Sequence, residues 1–384
     1  MRERKSLLLV LSLLLVLSLT AFAAGEQEGS GMEEETGDIH IALSAPITGD
    51  WSEYGVNFQR SVEMAIDHLN EEGVVLGGRM FRLSVGDTKG NPQEAATLAQ
   101  RWTSDPTVVA QIGAFSSSSS MAAQPIFDAA GMVQLSPTAS HADYAGGSQW
   151  SFGIVGTQAG EGPHNAAFAY DGLGIEKVAI LHLNNDWGID AANYFAEAFE
   201  GMGGEVVGTE FYFDGERDFT AALTKLAQSD ADGLYIASFY NDGAAINLQR
   251  ERLGWDVTVL GPTSLYSTQL IDLGGSSVEG LYTATGFFTE DTDPMVQDYV
   301  QEFEERYGAQ PNFHAALAYD AMMLLAGAIE RAGSTESEAI RDALAATEEF
   351  PGLTGSITFT DAGDAVKGYR KLVIEDGTFQ VWED

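Results

Sequence analysis

Residues 108–140 read VVAQIGAF, SSSSSMAAQPIFDAA, GMVQL and SPTAS. The first run is apolar and bounded by turn residues, the mark of a buried strand. Five serines then open an amphipathic segment that Gly131 brings to a stop, as glycine does after a helix. GMVQL is a second apolar strand, and SPTAS a second hydroxyl-rich turn. Both turns follow the C-terminal ends of strands, where open α/β sheets place their ligands. Each turn offers backbone N–H groups and hydroxyls, and neither contains Lys or Arg. Such turns can hold a small carboxylate without a formal positive charge. A serine run alone is a common linker composition, but the strand before it and the amphipathic segment after it argue for structure. Pro125 removes one hydrogen bond inside the expected helix and leaves its boundary open.

Working outward, short apolar strands alternate with amphipathic helices along the whole chain. Strands are expected at 38–43, 80–85, 107–112 and 132–135, with helices at 53–70, 92–102 and 116–130. A second series follows the 151–156 segment. Its helices fall at 160–170, 188–200, 219–228 and 243–252, and its strands at 177–183, 205–213, 233–237 and 258–260. After a strand at 281–285 come helices at 293–307, 313–332 and 336–345, then strand-like runs at 355–360, 369–375 and 378–382. This alternation is the signature of α/β architecture, with doubly wound parallel sheets wrapped by helices. About 350 residues follow the leader, too many for one ordinary core, so two lobes are expected. The two series share a plan without obvious sequence similarity.

The chain opens MRERKSLLLVLSLLLVLSLTAFAAG. Basic residues, an apolar core and an A-x-A exit make residues 1–24 a cleavable signal peptide. Residues 25–37 form an acidic, small-residue leader expected to be disordered. No other apolar run is long enough to cross a bilayer, so a periplasmic or secreted protein is expected. There is no cysteine, which excludes disulfides, thiol catalysis, Cys-ligated metals and a lipid-modified cysteine. Net charge is −38, and the segment through Ala24 carries +2, leaving the remainder near −40. Such a balance repels nucleic acid and anionic membranes. It also fits the solvated surface of a protein from a saline habitat.

Enzyme signatures are missing. No G-x-S-x-G elbow, Walker A loop or dinucleotide fingerprint stands in the required setting. The six histidines show no metal-ligand spacing. Carboxylate pairs abound in a chain this acidic but have no positional support as catalysts. No enzyme, cofactor or metal is expected.

Several segments together resemble the branched-chain amino-acid-binding proteins, the leucine/isoleucine/valine-binding family of type I periplasmic binding proteins. They are TGDWSEYGVNFQRSVEMAIDHLNEEGVVLGGR, GDTKGNPQEAATLAQR, IGAFSSSSS, LSPTAS, NNDWG, DFTAALTKL, LGPTSLYS and EGLYTAT, in the family's order. The resemblance covers essentially everything after Asp38. It implies two lobes joined by three hinge crossings, closing over a ligand in the cleft. Residues 38–156 plus 285–353 would form lobe 1, and 157–284 plus 354–384 lobe 2, with crossings near Gly156, Thr285 and Thr354. It also implies a monomer that hands its solute to the membrane permease of an ABC transporter. A ligand sensor for a separate receptor is the alternative.

The same resemblance assigns the pocket. Ser117 matches the carboxylate-binding serine, and Thr138 and Ser140 match the second turn. Tyr54 matches the aromatic of the first loop, and its polar neighbours suggest an exposed ring. Trp187 and Phe239 match aromatics of the opposite lobe that cover the ligand; from the residues alone they read equally well as core. One position departs from the pattern: where the amino-acid binders carry an acidic partner for the ligand ammonium, this chain has Thr263. A hydroxyl accepts a hydrogen bond but supplies no charge, and charge-assisted contacts are about twice as strong. Asp242, Asp186 and Tyr266 are the candidates to replace it. The alternative is a ligand without an ammonium, an amide or a small carboxylic acid.

Overall fold

The computed structural model describes residues 37–383, Val74 excepted. The expected signal peptide and the acidic leader up to residue 36 lie outside the described residues. What is described belongs to one unit beginning at Thr36.

The first sheet collects β1 (Ile39–Ala45), β2 (Phe81–Asp87), β3 (Val108–Gly113), β4 (Val133–Ser136) and β5 (Ser151–Gly153). All are parallel, in the order β2-β1-β3-β4-β5. Between them run α1 (Ser52–Glu72), α2 (Pro92–Ser104) and α3 (Ser117–Ala130). Sequence signals set these boundaries. Asn91 caps α2 by accepting from Gln93 N and Glu94 N, with Pro92 at the first helical position. Gly73 and Gly131 end α1 and α3 in the left-handed conformation. α3 runs through Pro125 to Ala130.

The second sheet repeats the plan. After α4 (Gln158–Ala167) come β6 (Lys177–Leu183), α5 (Asp186–Gly201), β7 (Glu205–Tyr212), α6 (Thr220–Leu226), β8 (Gly233–Ala237), α7 (Tyr240–Arg252) and β9 (Thr258–Leu260). A short helix α8 (Thr268–Gly274), which the apolar pattern did not announce, leads to β10 (Tyr282–Thr285). The sheet order is β12-β11-β10-β9-β8-β6-β7. Its parallel part has the same winding as the first sheet; β11 (Arg370–Glu375) and β12 (Thr378–Val381) add an antiparallel hairpin.

The chain then returns to the first lobe through α9 (Pro294–Tyr307), α10 (Phe313–Ala332) and α11 (Ser337–Ala345). α10 is buried over most of its length and packs on α1 and against β3 and β4. A helix apolar on nearly all sides is a core helix. The 355–360 run is not a sheet strand. Ile357 and Phe359 form only isolated bridges, to Phe350 and Ala365. Asp364 bridges Gly153, and Phe359 packs on Phe152 at 5.2 Å. This tail therefore stays beside the first sheet up to Ala365, and the chain joins the second sheet at Arg370.

Two glycines show how alike the lobes are. A Cβ on Gly55 would stand 2.1 Å from the carbonyl oxygen of Pro46, and one on Gly188 2.2 Å from that of Leu183. Each lets the helix after the first strand of its sheet press against the strand's exit. Each follows an aromatic residue, Tyr54 or Trp187, that this close approach delivers to the cleft.

Candidate functional site

In both sheets the winding reverses beside the first strand, between β1 and β3 and between β6 and β8. Ligands of open α/β sheets lie outside the strands' carboxyl ends at this reversal. The loops leaving β3, β4, β6, β8 and β9 meet there. They enclose a cavity lined by Phe115, Ser116, Ser117, Thr138, Ser140, Val155, Trp187, Phe239, Thr263, Ser264 and His314. Six of the seven residues expected from the sequence are thus brought together: Ser117, Thr138, Ser140, Trp187, Phe239 and Thr263.

The serine turn is ordered by its own hydroxyls. Ser116 caps α3, accepting from Ser119 N at 3.2 Å. Ser120 Oγ donates to Ala114 O at 3.2 Å, and so does Ser136 Oγ at 3.1 Å. Ser117 Oγ accepts from the backbone N–H groups of both Ser140 and His141, at 3.2 Å each. That clamps the second turn to the first and leaves the Ser117 proton free to donate. Ser140 Oγ accepts from the Gln158 amide nitrogen at 2.9 Å, so its proton is also free. Thr138 is the reverse: its hydroxyl donates to Phe115 O at 2.6 Å and retains only acceptor capacity. Thr263 lies against Glu161: the carboxylate accepts its backbone N–H at 2.6 Å, and its hydroxyl stands beside the same group. Of the six hydroxyl residues in the wall, Ser117 and Ser140 keep a proton to donate, whereas Thr138 and Ser264, which donates to Ser238 O at 2.7 Å, keep acceptor capacity; no Lys or Arg is among the lining residues.

The apolar part is aromatic. Trp187 and Phe239 stack at 4.6 Å and 21°, and Phe239 also meets Trp51 at 4.7 Å and Phe115 at 5.4 Å. The cavity itself is small, about 20 Å³, room for about one water molecule. A solute larger than water enters only if these rings or the lobes move. A larger hollow, about 290 Å³, is lined by Glu53, Tyr266, Phe288, Asn312 and Phe379 among others. It lacks the strand-end hydroxyls of both turns, so the smaller cavity is the candidate site.

Tyr54 is placed differently from the expectation. It is fully buried rather than exposed and is not among the lining residues. Its ring stacks on Phe115 at 4.7 Å. Its hydroxyl donates to Ser264 O at 2.8 Å and accepts from Tyr240 N at 3.3 Å. It is a clasp between the lobes, helped by Ala142 N donating to Asp190 at 2.9 Å and by the Arg217–Asp50 ion pair.

None of the three replacements considered for the missing acidic partner lines the cavity. Asp242 is tied to Arg217 at 3.2 Å and Tyr212 at 3.3 Å, and burial raises its carboxyl to about 7. Asp186 is exposed. Tyr266 packs edge-on against Phe379. Two residues that sequence reasoning missed take part instead. Glu161, 3% exposed, accepts from Thr263 N at 2.6 Å and from the Gln158 amide at 2.8 Å. Burial pushes its carboxyl up, while the bonds from Thr263 and Gln158 pull it back. His314, in the first turn of α10, packs on Tyr54 at 4.6 Å, and burial lowers it to about 3, so it is neutral.

Two sheets wound alike, with a hydroxyl-lined cavity between their switch points, define a two-lobed solute-binding protein. A periplasmic binding protein family model matches residues 38–377, and the chain belongs to that family, whose members bind transport substrates and are not enzymes. A leucine-, isoleucine-, valine-, threonine- and alanine-binding protein of Pseudomonas aeruginosa is 26% identical over 88% of this chain and 89% of its own length. Among solved structures, a leucine-binding protein of Thermotoga maritima is 29% identical, with a TM-score of 0.84 over 90% of this chain and 98% of its own. A branched-chain amino-acid transporter substrate-binding protein of Streptococcus pneumoniae, solved with isoleucine, is 26% identical with a TM-score of 0.84, covering 90% and 98%.

Proposed function

We propose that the chain captures a small amino acid, branched-chain or related, between its lobes and delivers it outside the cytoplasm to the permease of an ABC importer. The observation that carries this reading is the polarity of the wall hydroxyls. Ser117 and Ser140 have protons to give a carboxylate, whereas Thr138 and Ser264 have lone pairs to receive an ammonium. Trp187 and Phe239 supply the apolar cover for a side chain. The relatives that bind leucine and isoleucine support the same class of solute. Lobe 1 would comprise the first sheet with α9 to α11, and lobe 2 the second sheet.

Thr263 in place of a carboxylate favours a second reading, a ligand without an ammonium. A thermal-shift screen across amino acids, amides and small carboxylic acids separates the two. A ligand at 100 times its dissociation constant stabilises the fold by about 2.7 kcal/mol. Shifts with acids or amides and none with amino acids would replace the first reading by the second.

A further inference from the structure

We propose that Glu161, acting through the Thr263 hydroxyl, supplies the negative charge that holds a ligand's ammonium group, so that the site selects amino acids over the matching carboxylic acids. This rests on the amino-acid reading above.

Glu161 sits in the first turn of α4, directly behind the cavity wall. One carboxylate oxygen accepts the Thr263 N–H at 2.6 Å, and the Thr263 hydroxyl stands beside the same carboxylate. In this reading the hydroxyl gives its proton to that carboxylate and offers its oxygen to the ligand. The other carboxylate oxygen accepts the Gln158 amide at 2.8 Å, and that amide nitrogen also bonds Ser140 Oγ at 2.9 Å. The carboxylate thus stands behind hydroxyls of both lobes, Thr263 on one side and Ser140 on the other.

Among the described residues, the groups that bond to Glu161 are neutral: the Thr263 N–H and the Gln158 amide. A buried carboxylate without a cation is costly, and a cation arriving nearby offsets that cost. An ammonium on the cavity side of Thr263 would be that cation, with the hydroxyl bridging the two charges. A carboxylic acid or amide in the same place brings no such charge. Asp242 cannot serve, because Arg217 already pairs with it.

The test is calorimetric titration of the whole protein and its variants with L-leucine and with 4-methylpentanoate, which is leucine without its ammonium. Glu161→Gln keeps the shape and removes the charge. The expected result is leucine binding weakened at least about 10-fold, with 4-methylpentanoate unchanged within about 3-fold. A purely structural role for Glu161 would weaken both ligands together, and that outcome overturns the proposal, as does unchanged leucine binding. If Glu161→Gln does not fold, Thr263→Val cuts the same link and is read by the same ratio. If the unmodified protein binds the acid and not leucine, the amino-acid reading itself fails, visibly and before any variant is made, and this inference falls with it.

Discussion

Replacing Tyr54 with Phe removes a single oxygen from the seam between the lobes. That oxygen donates to Ser264 O at 2.8 Å and accepts from Tyr240 N at 3.3 Å. The first bond is short and buried; the second is long and weak. Net contributions of about 0.5–1.5 kcal/mol per bond, weighted to the first, put the loss at about 1–2 kcal/mol. The loss falls on the closed form, since water satisfies the same groups once the lobes part. Ligand capture needs closure, so apparent affinity should drop about 5- to 30-fold. The ring stays in place, because its stacking on Phe115 needs no hydroxyl. Titration calorimetry with a solute found in the screen measures the drop. Small-angle scattering without ligand should show a larger mean radius for the variant. Unchanged affinity together with unchanged scattering would refute the clasp and return Tyr54 to ordinary core packing.

Ser117→Ala removes a hydroxyl donor from the wall and leaves Ser140 N and His141 N without their shared acceptor. A carboxylate ligand should bind more weakly by about 1.5–3 kcal/mol; equal affinity by calorimetry would remove Ser117 from the site. His314 predicts an acid limb. Its folded value of about 3 lies below the unfolded 6.5, so its contribution is complete above about 6.5 and is lost as pH falls toward 3. Glu53, Asp242 and Asp364, raised by burial to about 7, work the other way, losing their contribution as pH rises from the ordinary carboxylate range to about 7. Urea denaturation of His314→Phe against the parent should show a shallower loss of stability between pH 6.5 and 3, and parallel curves would exclude the effect. Asp320→Ala leaves Leu353 N and Thr354 N unpaired and strips the buried Lys367 of its nearby negative charge. It should cost about 3–5 kcal/mol in denaturant unfolding, and a loss under about 1 kcal/mol would contradict that account.

Much of the architecture was legible because periodicity and punctuation agreed. The 108–140 stretch reads strand, helix, strand, and β3, α3 and β4 fall within a residue or two of it. The 355–360 run misled because ITFT alternates as a strand does, yet its partners are isolated residues rather than a sheet edge. In the site, hydroxyl turns after strands were visible and the cavity contains them. The Tyr54 ring is buried where an exposed one was expected, because an aromatic residue before glycine looks the same in an open loop and in a seam between lobes. A signal was nevertheless available: Glu53-Tyr54-Gly55-Val56 and Asp186-Trp187-Gly188-Ile189 share one pattern at the same point of each sheet. Glu161 carried no such signal. It is one of 57 acidic residues, and only folding shows that it is buried against Thr263.

The repeated winding of the two sheets has a consequence for affinity. Each lobe presents half of a recognition surface, serines and a threonine from one and aromatics with Thr263 from the other, and neither half surrounds a solute alone. The chain segments that join the two sheets would tether these half-sites, so that a solute resting on one would meet the other at high effective concentration, as in a chelate. Tight capture then needs no single strong contact. Lengthening a crossing with a flexible insert should dilute that advantage without touching one lining residue, and lobes cut free of each other should lose it altogether.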